Sequence, residues 1–420
     1  MKKIFLTAAA LIASFSVHAQ NTVNLETCYQ KARENYPLIK QKNYIAESRD
    51  YNVSNVWKNY FPQITVTGQA TYQSDVTSLP VSLPGIKIEA LTKDQYKAVA
   101  DVSQVVYDGG VMSAQAGIQK ASAEIDDQKI EIELLKVKDR INQIYFGILL
   151  LDRQIAQTKL IKSDLNSSMD KMNAALANGT ATKTGAEVLK AELLKADQRE
   201  IELKSSRKAF VEMLSLLTNL KMEEDQKFEM PLTETFNLSE KINRPELNLY
   251  QSQKNLTESQ SGLTAAKILP KANLFFQGGY GKPTLNMLKN NFDWYYIAGA
   301  RLTWSLSGLY TYGNESEVNE LNKKSIEAQR EAFLLNTKIS LKQQENEIDK
   351  LKELIKVDGE IIKIRTSVKE SAKSQLENGV ITSNDFVREL NAEDQAKQNY
   401  AAHSIQLMLA IQNYKITSGN

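Results

Sequence analysis

His18, His403 and Cys28 are the only imidazoles and the only thiol in the sequence. A metal centre built on nitrogen and sulfur needs several such ligands held together. A Ser-His-Asp arrangement would have to use His403, which sits inside the pattern AAHSIQLMLAIQ and there faces solvent or a neighbouring helix. No P-loop, GxSxG or HExxH sequence occurs. Paired carboxylates stay open as an acid–base device, but acids are scattered over helical faces throughout. One cysteine makes no internal disulfide, so the fold must hold by packing. The residue types argue against an enzyme, and neither a cofactor nor a metal is expected.

What recurs instead is a turn. LANGTATKTG at 176–185 and LENGVITSND at 376–385 share Leu, Asn, Gly and Thr at 176/376, 178/378, 179/379 and 182/382. Glycine supplies the left-handed backbone that ends a helix, so each stretch reads as a helix-hairpin turn. Other pairs follow in the same order. Pro37, Pro62, Gln69 and Tyr72 match Pro245, Pro270, Gln277 and Tyr280 at an offset of 208. Leu189, Ala191 and Glu192 match Leu390, Ala392 and Glu393 at 201. Shared order with a drifting offset reads as an internal two-fold repeat, divided here into residues 20–230 and 231–420.

Residues 1–19 read as a signal peptide. Lys2 and Lys3 precede a short apolar run, and Val17-His18-Ala19 offers a cleavage site. The run is too short to span a bilayer as a helix, and Cys28 lies too far beyond the cut to be a lipidated N-terminus. Removing two lysines brings 52 Lys+Arg down to 50, equal to the 50 Asp+Glu. A neutral exported chain does not suit nucleic acid.

Each half follows one plan: a helix up to a proline, a strand pair, a very long helix to the Asn-Gly turn, and a return helix. The first helix is expected from Asn24 to about Tyr60, and its counterpart from Pro245 to about Leu269. The long helices are expected over Gly110–Ala177 and Gly313–Glu377. The first carries Ile130, Leu134, Val137, Ile141, Ile144, Ile148, Leu151 and Ile155, spaced alternately four and three apart, which is the seam of a left-handed coiled coil. At about 1.5 Å per residue it would extend roughly 100 Å. Its partner is Lys/Glu/Gln-rich, with Ile348, Leu351, Ile355 and Ile362 at apolar positions.

Four strands are expected, at about 61–75, 97–107, 270–281 and 293–306. Ile64, Val66, Gly68, Ala70 and Tyr72 alternate with Thr65, Thr67, Gln69, Thr71 and Gln73. Ala98, Ala100, Val102 and Val106 share a face opposite Asp101 and Ser103. Ala272, Leu274, Phe276 and Tyr280 alternate with Asn273 and Gln277. Trp294, Tyr296, Ala298, Ala300, Leu302 and Trp304 alternate with polar neighbours including Asp293, Arg301, Thr303 and Ser305. Segments of about ten residues with one apolar face and aromatics near the ends describe outer-membrane β-strands. Tyr72, Tyr280, Trp294, Tyr296 and Trp304 are the membrane-interface candidates. Four strands close no barrel, and an open edge in lipid leaves backbone groups unpaired, so the chain must oligomerise. Loops 74–95 and 281–291 would face the cell exterior.

In order and spacing, YFPQITVTGQATY, ILPKANLFFQGGY, the VVYDGG junction and the paired Asn-Gly turns resemble the TolC family of bacterial outer-membrane efflux proteins over the whole mature chain. The resemblance implies a mainly α fold with a small β part. A long antiparallel α-helical coiled-coil barrel would cross the periplasm, and each protomer would give four transmembrane strands to a 12-stranded barrel in a trimer. It implies a passive duct for efflux or type I secretion, working with a periplasmic adaptor (a membrane fusion protein) and an inner-membrane transporter. It makes Asn178, Gly179, Thr180, Asn378, Gly379 and Val380 the adaptor-docking tip. Relatives carry aspartates six and nine residues after the second glycine that ring the entrance constriction. Here those positions are Asp385 and Arg388. The cation weakens the anionic field and is expected to pair with an acid on a neighbouring helix. In the first half the sixth position is Gly185, and Glu187 is the nearest acid. Asp385 also reads as an ordinary helix-start acid. The alternative is an exported coiled-coil structural or adhesin-like protein without a pore, which would have no use for the strands.

Overall fold

The computed structural model describes residues 22–77, 91–231 and 241–419. The signal-peptide segment and Pro80 and Pro84 of the first loop lie outside these residues. Eleven elements follow in order: α1 (Leu25–Asn35), α2 (Ile39–Lys58), β1 (Gln63–Tyr72), β2 (Asp94–Tyr107), α3 (Val111–Ala177), α4 (Lys183–Thr218), α5 (Pro245–Lys267), β3 (Lys271–Lys282), β4 (Asp293–Thr303), α6 (Gly308–Glu377) and α7 (Ser383–Ser418). The chain forms two compact units, one of residues 1–39, 130–245 and 333–420, the other of 40–129 and 246–332. Each unit draws residues from both 20–230 and 231–420.

The first helix differs from the expectation. It is two helices, because Tyr36 leaves the helical region at φ −64° and ψ 125°. The residue before a proline is pushed towards extended backbone, and Pro37 enforces that here. The second long helix also departs from its expected start. It begins at Gly308, where Leu309 and Tyr310 bond back to Leu306 and Ser307, and Gly313 lies inside it.

In the unit containing the turns, the expected α3 seam is buried from Ile130 to Ile148 and again at Ile155, with Leu151 only partly covered. One core gathers Cys28, Tyr29 and Ala32 of α1, Ile141, Tyr145 and Ile148 of α3, Val211 and Leu214 of α4, and Ile405 of α7. Burial pushes the Cys28 thiol up to about 12, so it is an inert core residue. A second core joins Ile161 and Leu165 of α3, Leu189 of α4, Leu376 of α6, and Phe386 and Leu390 of α7. Of the expected α6 positions, Ile348 and Leu351 are buried, and Ile355 and Ile362 are partly covered.

The other unit holds an antiparallel sheet in the order β1-β2-β3-β4. The VVYDGG junction fixes the passage from β2 to α3. Asp108 accepts hydrogen bonds from the Gly110 and Met112 amides at 2.8 and 2.6 Å and from the Tyr60 hydroxyl at 3.0 Å. Gly109 has φ 76°, and a Cβ there would stand 2.9 Å from the Leu269 Cβ. Small residues also bring α3 and α5 together, since a Cβ on Gly117 would meet the Ser259 hydroxyl at 2.7 Å.

Candidate functional site

The two Asn-Gly turns have one geometry. Gly179 and Gly379 sit at φ 73° and 68°. The amides of Thr180 and Val380 bond back to Ala175 and Gln375 at 2.9 and 2.8 Å, and those of Gly179 and Gly379 to Leu176 and Leu376. This six-to-one, five-to-two pair is a Schellman motif. Two residues further on, Thr182 and Thr382 cap the return helices by accepting from the amides of Gly185 and Asp385, each at 3.3 Å. Asn178, Gly179, Thr180, Asn378, Gly379 and Val380 are all exposed.

Beyond the caps the copies diverge. Asp385 completes a capping box, receiving the Thr382 hydroxyl at 2.7 Å and its amide at 3.3 Å. Those bonds, with Arg388 nearby, hold its carboxyl below the ordinary aspartate value. Arg388 pairs differently from the expectation. Its partners are Asp385 at 3.5 Å and Glu389 at 3.1 Å, both on α7 itself, because the three-residue spacing of a helix brings Asp385 within reach. Glu187 pairs with Lys183 at 3.6 Å on α4. Glu187 is therefore engaged separately from the Asp385–Arg388 pair.

Sequence reasoning missed a charged network in the same unit. Lys369 of α6, almost fully buried, lies 3.1 Å from Asp164 of α3, 2.7 Å from Glu370 and 3.5 Å from Glu393 of α7. Burial alone would lower the Lys369 pKa, but these acids hold it well above the ordinary value. Glu393 is buried too, yet Lys397, Thr366 and Lys369 hold its carboxyl below the ordinary range. Among a chain rich in charges, nothing in the local pattern distinguishes Lys369 from its exposed neighbours. His403 reaches a neighbouring helix, its Nδ1 standing 2.6 Å from Asp358 of α6.

The sheet register joins the apolar faces of all four strands. Val66 pairs with Ala100, Val102 with Phe276, Phe276 with Ala298, and Tyr280 with Trp294. Alternation then puts Thr65, Thr67, Asp101, Gln277 and Arg301 on the other face. There Gln277 donates to Asp101 at 2.7 Å, and the Arg301 guanidinium lies over Phe275 at 4.9 Å. Val106 falls at a bulge between Val105 and Tyr107, where the β2–β3 register shifts. Trp304 stands just beyond β4, its indole donating to the Ile268 carbonyl at 3.0 Å. Tyr72, Tyr280, Trp294, Tyr296 and Trp304 are all exposed, although the first four carry large apolar rings on the sheet's apolar face. The Tyr280 and Trp294 rings are 5.0 Å apart, and Phe276 and Tyr296 stack at 6.1 Å.

Long hairpin helices and a four-stranded antiparallel sheet with one apolar face make up the fold. Solved channels share it: OprN, at TM-score 0.71 and 12% identity over 94% of this chain and 89% of that one; VceC of Vibrio cholerae, at 0.68 and 13% over 93% and 95%; and the open state of Neisseria gonorrhoeae MtrE, at 0.68 and 13% over 94% and 88%. At such identities the likeness is one of fold. No curated relative matches the chain. Residues 28–220 match the model of the outer membrane efflux protein family. Proteins of this family are passive outer-membrane channels with a long periplasmic helical part, not enzymes.

Proposed function

We propose that the protein is the exit duct of a tripartite efflux or type I secretion system. Three copies would supply twelve strands to one barrel, coupled through a periplasmic adaptor to an inner-membrane transporter. One observation carries the reading. The sheet has a continuous apolar face, yet among the described residues β1 and β4 each pair on one side only. Lipid does not tolerate unpaired strand edges. Closing β1 of one copy on β4 of the next satisfies both edges. Two copies would give eight strands, a number whose interior side chains fill, whereas larger barrels leave a channel.

In this reading residues 1–19 direct export, and 20–230 and 231–420 are the two repeats of one efflux-protein plan. The aromatics Tyr72, Tyr280, Trp294, Tyr296 and Trp304 meet the membrane interface. The turns at 178–180 and 378–380 dock the adaptor, and Asp385, Arg388 and Glu187 stand near the entrance. The Asp385–Arg388 pair makes a weakly charged rim rather than a strong cation trap. The family match also weighs against a poreless coiled-coil scaffold. Native mass spectrometry of detergent-extracted protein tests the proposal. A trimer is expected, and a monomer or dimer that stays soluble without detergent would overturn it.

A further inference from the structure

Among the equivalent positions at which the two turns differ, one bears on the capping box. Asp385 completes the second capping box, while its counterpart in the first turn is Gly185. Gly185 is not at a positive φ, so its backbone does not demand glycine. Space does. A Cβ there would stand 2.9 Å from the hydroxyl of Ser383, in the first turn of α7. Ser383 is buried, and its Oγ has no hydrogen-bond partner. Buried hydroxyls ordinarily find one. At a single contact, then, one hairpin forgoes half of a capping box and the other leaves a hydroxyl unpaired. Neither feature stabilises its own hairpin; the missing Cβ of Gly185 leaves the room that the Ser383 hydroxyl occupies.

We infer that Gly185 and Ser383 form the contact that joins the two turns into one composite tip, so that a partner meets both hairpins as a single surface. The kind of partner rests on the adaptor-docking reading; the joining itself does not. Leu189 of α4 and Phe386 of α7 lie in one buried cluster and carry the same packing inward from the contact. Val380 at the outer end is an exposed apolar side chain where the first turn has Thr180. The joined tip therefore offers a partner one apolar and one polar turn, side by side and in fixed register.

The test measures the distance between spin labels at Thr184→Cys and Asn384→Cys, both exposed positions. Cys28 is fully buried and will not compete for label. Full-length protein is used, diluted with unlabelled chain so that assemblies carry one labelled copy. The unaltered tip should give a narrow distribution. Gly185→Asp, which restores the box carboxylate, should lengthen and broaden it, and adding Ser383→Gly should return it towards the original. Should Gly185→Asp fail to fold, Gly185→Ala with the same rescue carries the test, with a smaller shift expected. An unchanged distance, or a change that Ser383→Gly does not reverse, overturns the inference. The distance is read without adaptor, so it stands or falls separately from docking.

Discussion

Gly379 and Gly313 lie on the same helix-turn unit of sequence, yet substitution should act on them in opposite directions. Gly379 holds φ 68°, and alanine there is forced into left-handed backbone. The cost is about 1–2 kcal/mol. Gly313 lies within α6, and a Cβ there would meet nothing within 4 Å, so alanine should stabilise by roughly 0.5–1 kcal/mol through helix propensity. Thermal unfolding of the two single variants checks the pair of signs. The Lys369–Glu393 network makes a second prediction, on pH. Glu393 has a lowered folded pKa, so its stabilising effect is present above the ordinary glutamate pKa of about 4.3 and is lost as pH falls through the folded value. Lys369 has a raised folded pKa, so its effect is present below about 10.4 and is lost as pH rises through the folded value. Hydrogen exchange along α6 and α7 near these residues, corrected for its intrinsic pH dependence, should therefore show greatest protection between those limits. Glu393→Gln should flatten the acid limb and weaken, without abolishing, the alkaline one, because Asp164 and Glu370 still face Lys369.

Among the elements, α3 was the most legible and α1–α2 the least, for one physical reason. A coiled-coil seam repeats its signal every seven residues, and buried Ile141, Ile144 and Ile148 show how directly that pattern becomes core. A proline break is a single event. Pro37 could equally have begun a helical turn, as Pro245 does at the start of α5, and only the backbone of Tyr36 decides between them. The turns were legible because their glycines meet a backbone demand. The Gly185–Ser383 contact was not, because it joins residues 198 positions apart and answers a demand of space. Within the seam, burial now ranks the effects. Ile148→Ala removes a fully buried side chain from the main core and should cost about 2–5 kcal/mol. Leu151→Ala, at a partly covered position of the same seam, should cost clearly less. Urea unfolding midpoints of the two variants, at unchanged slope, make the comparison.

At the scale of the whole molecule, the proposed duct turns on which face of the sheet meets lipid. Val66 and Thr67 are neighbours on β1 whose side chains project to opposite faces, and Val66 continues the apolar face through its partner Ala100. If that face lies against hydrocarbon, Val66→Arg places a cation near the middle of a ten-residue strand, at a cost of about 2–4 kcal/mol near the bilayer midplane. Thr67→Arg places the same cation on the polar face, where water in the pore can solvate it. The first substitution should sharply reduce the trimer recovered from outer membranes, whereas the second should leave assembly intact and alter ion selectivity in planar-bilayer conductance. Both variants carry the same charge on the same edge strand, so a general intolerance of arginine in β1 would affect them alike. Equal loss in both would point to strand pairing rather than lipid contact, and the reverse order would put the polar face outward. Only the reverse order is incompatible with the barrel proposed for three copies of this chain.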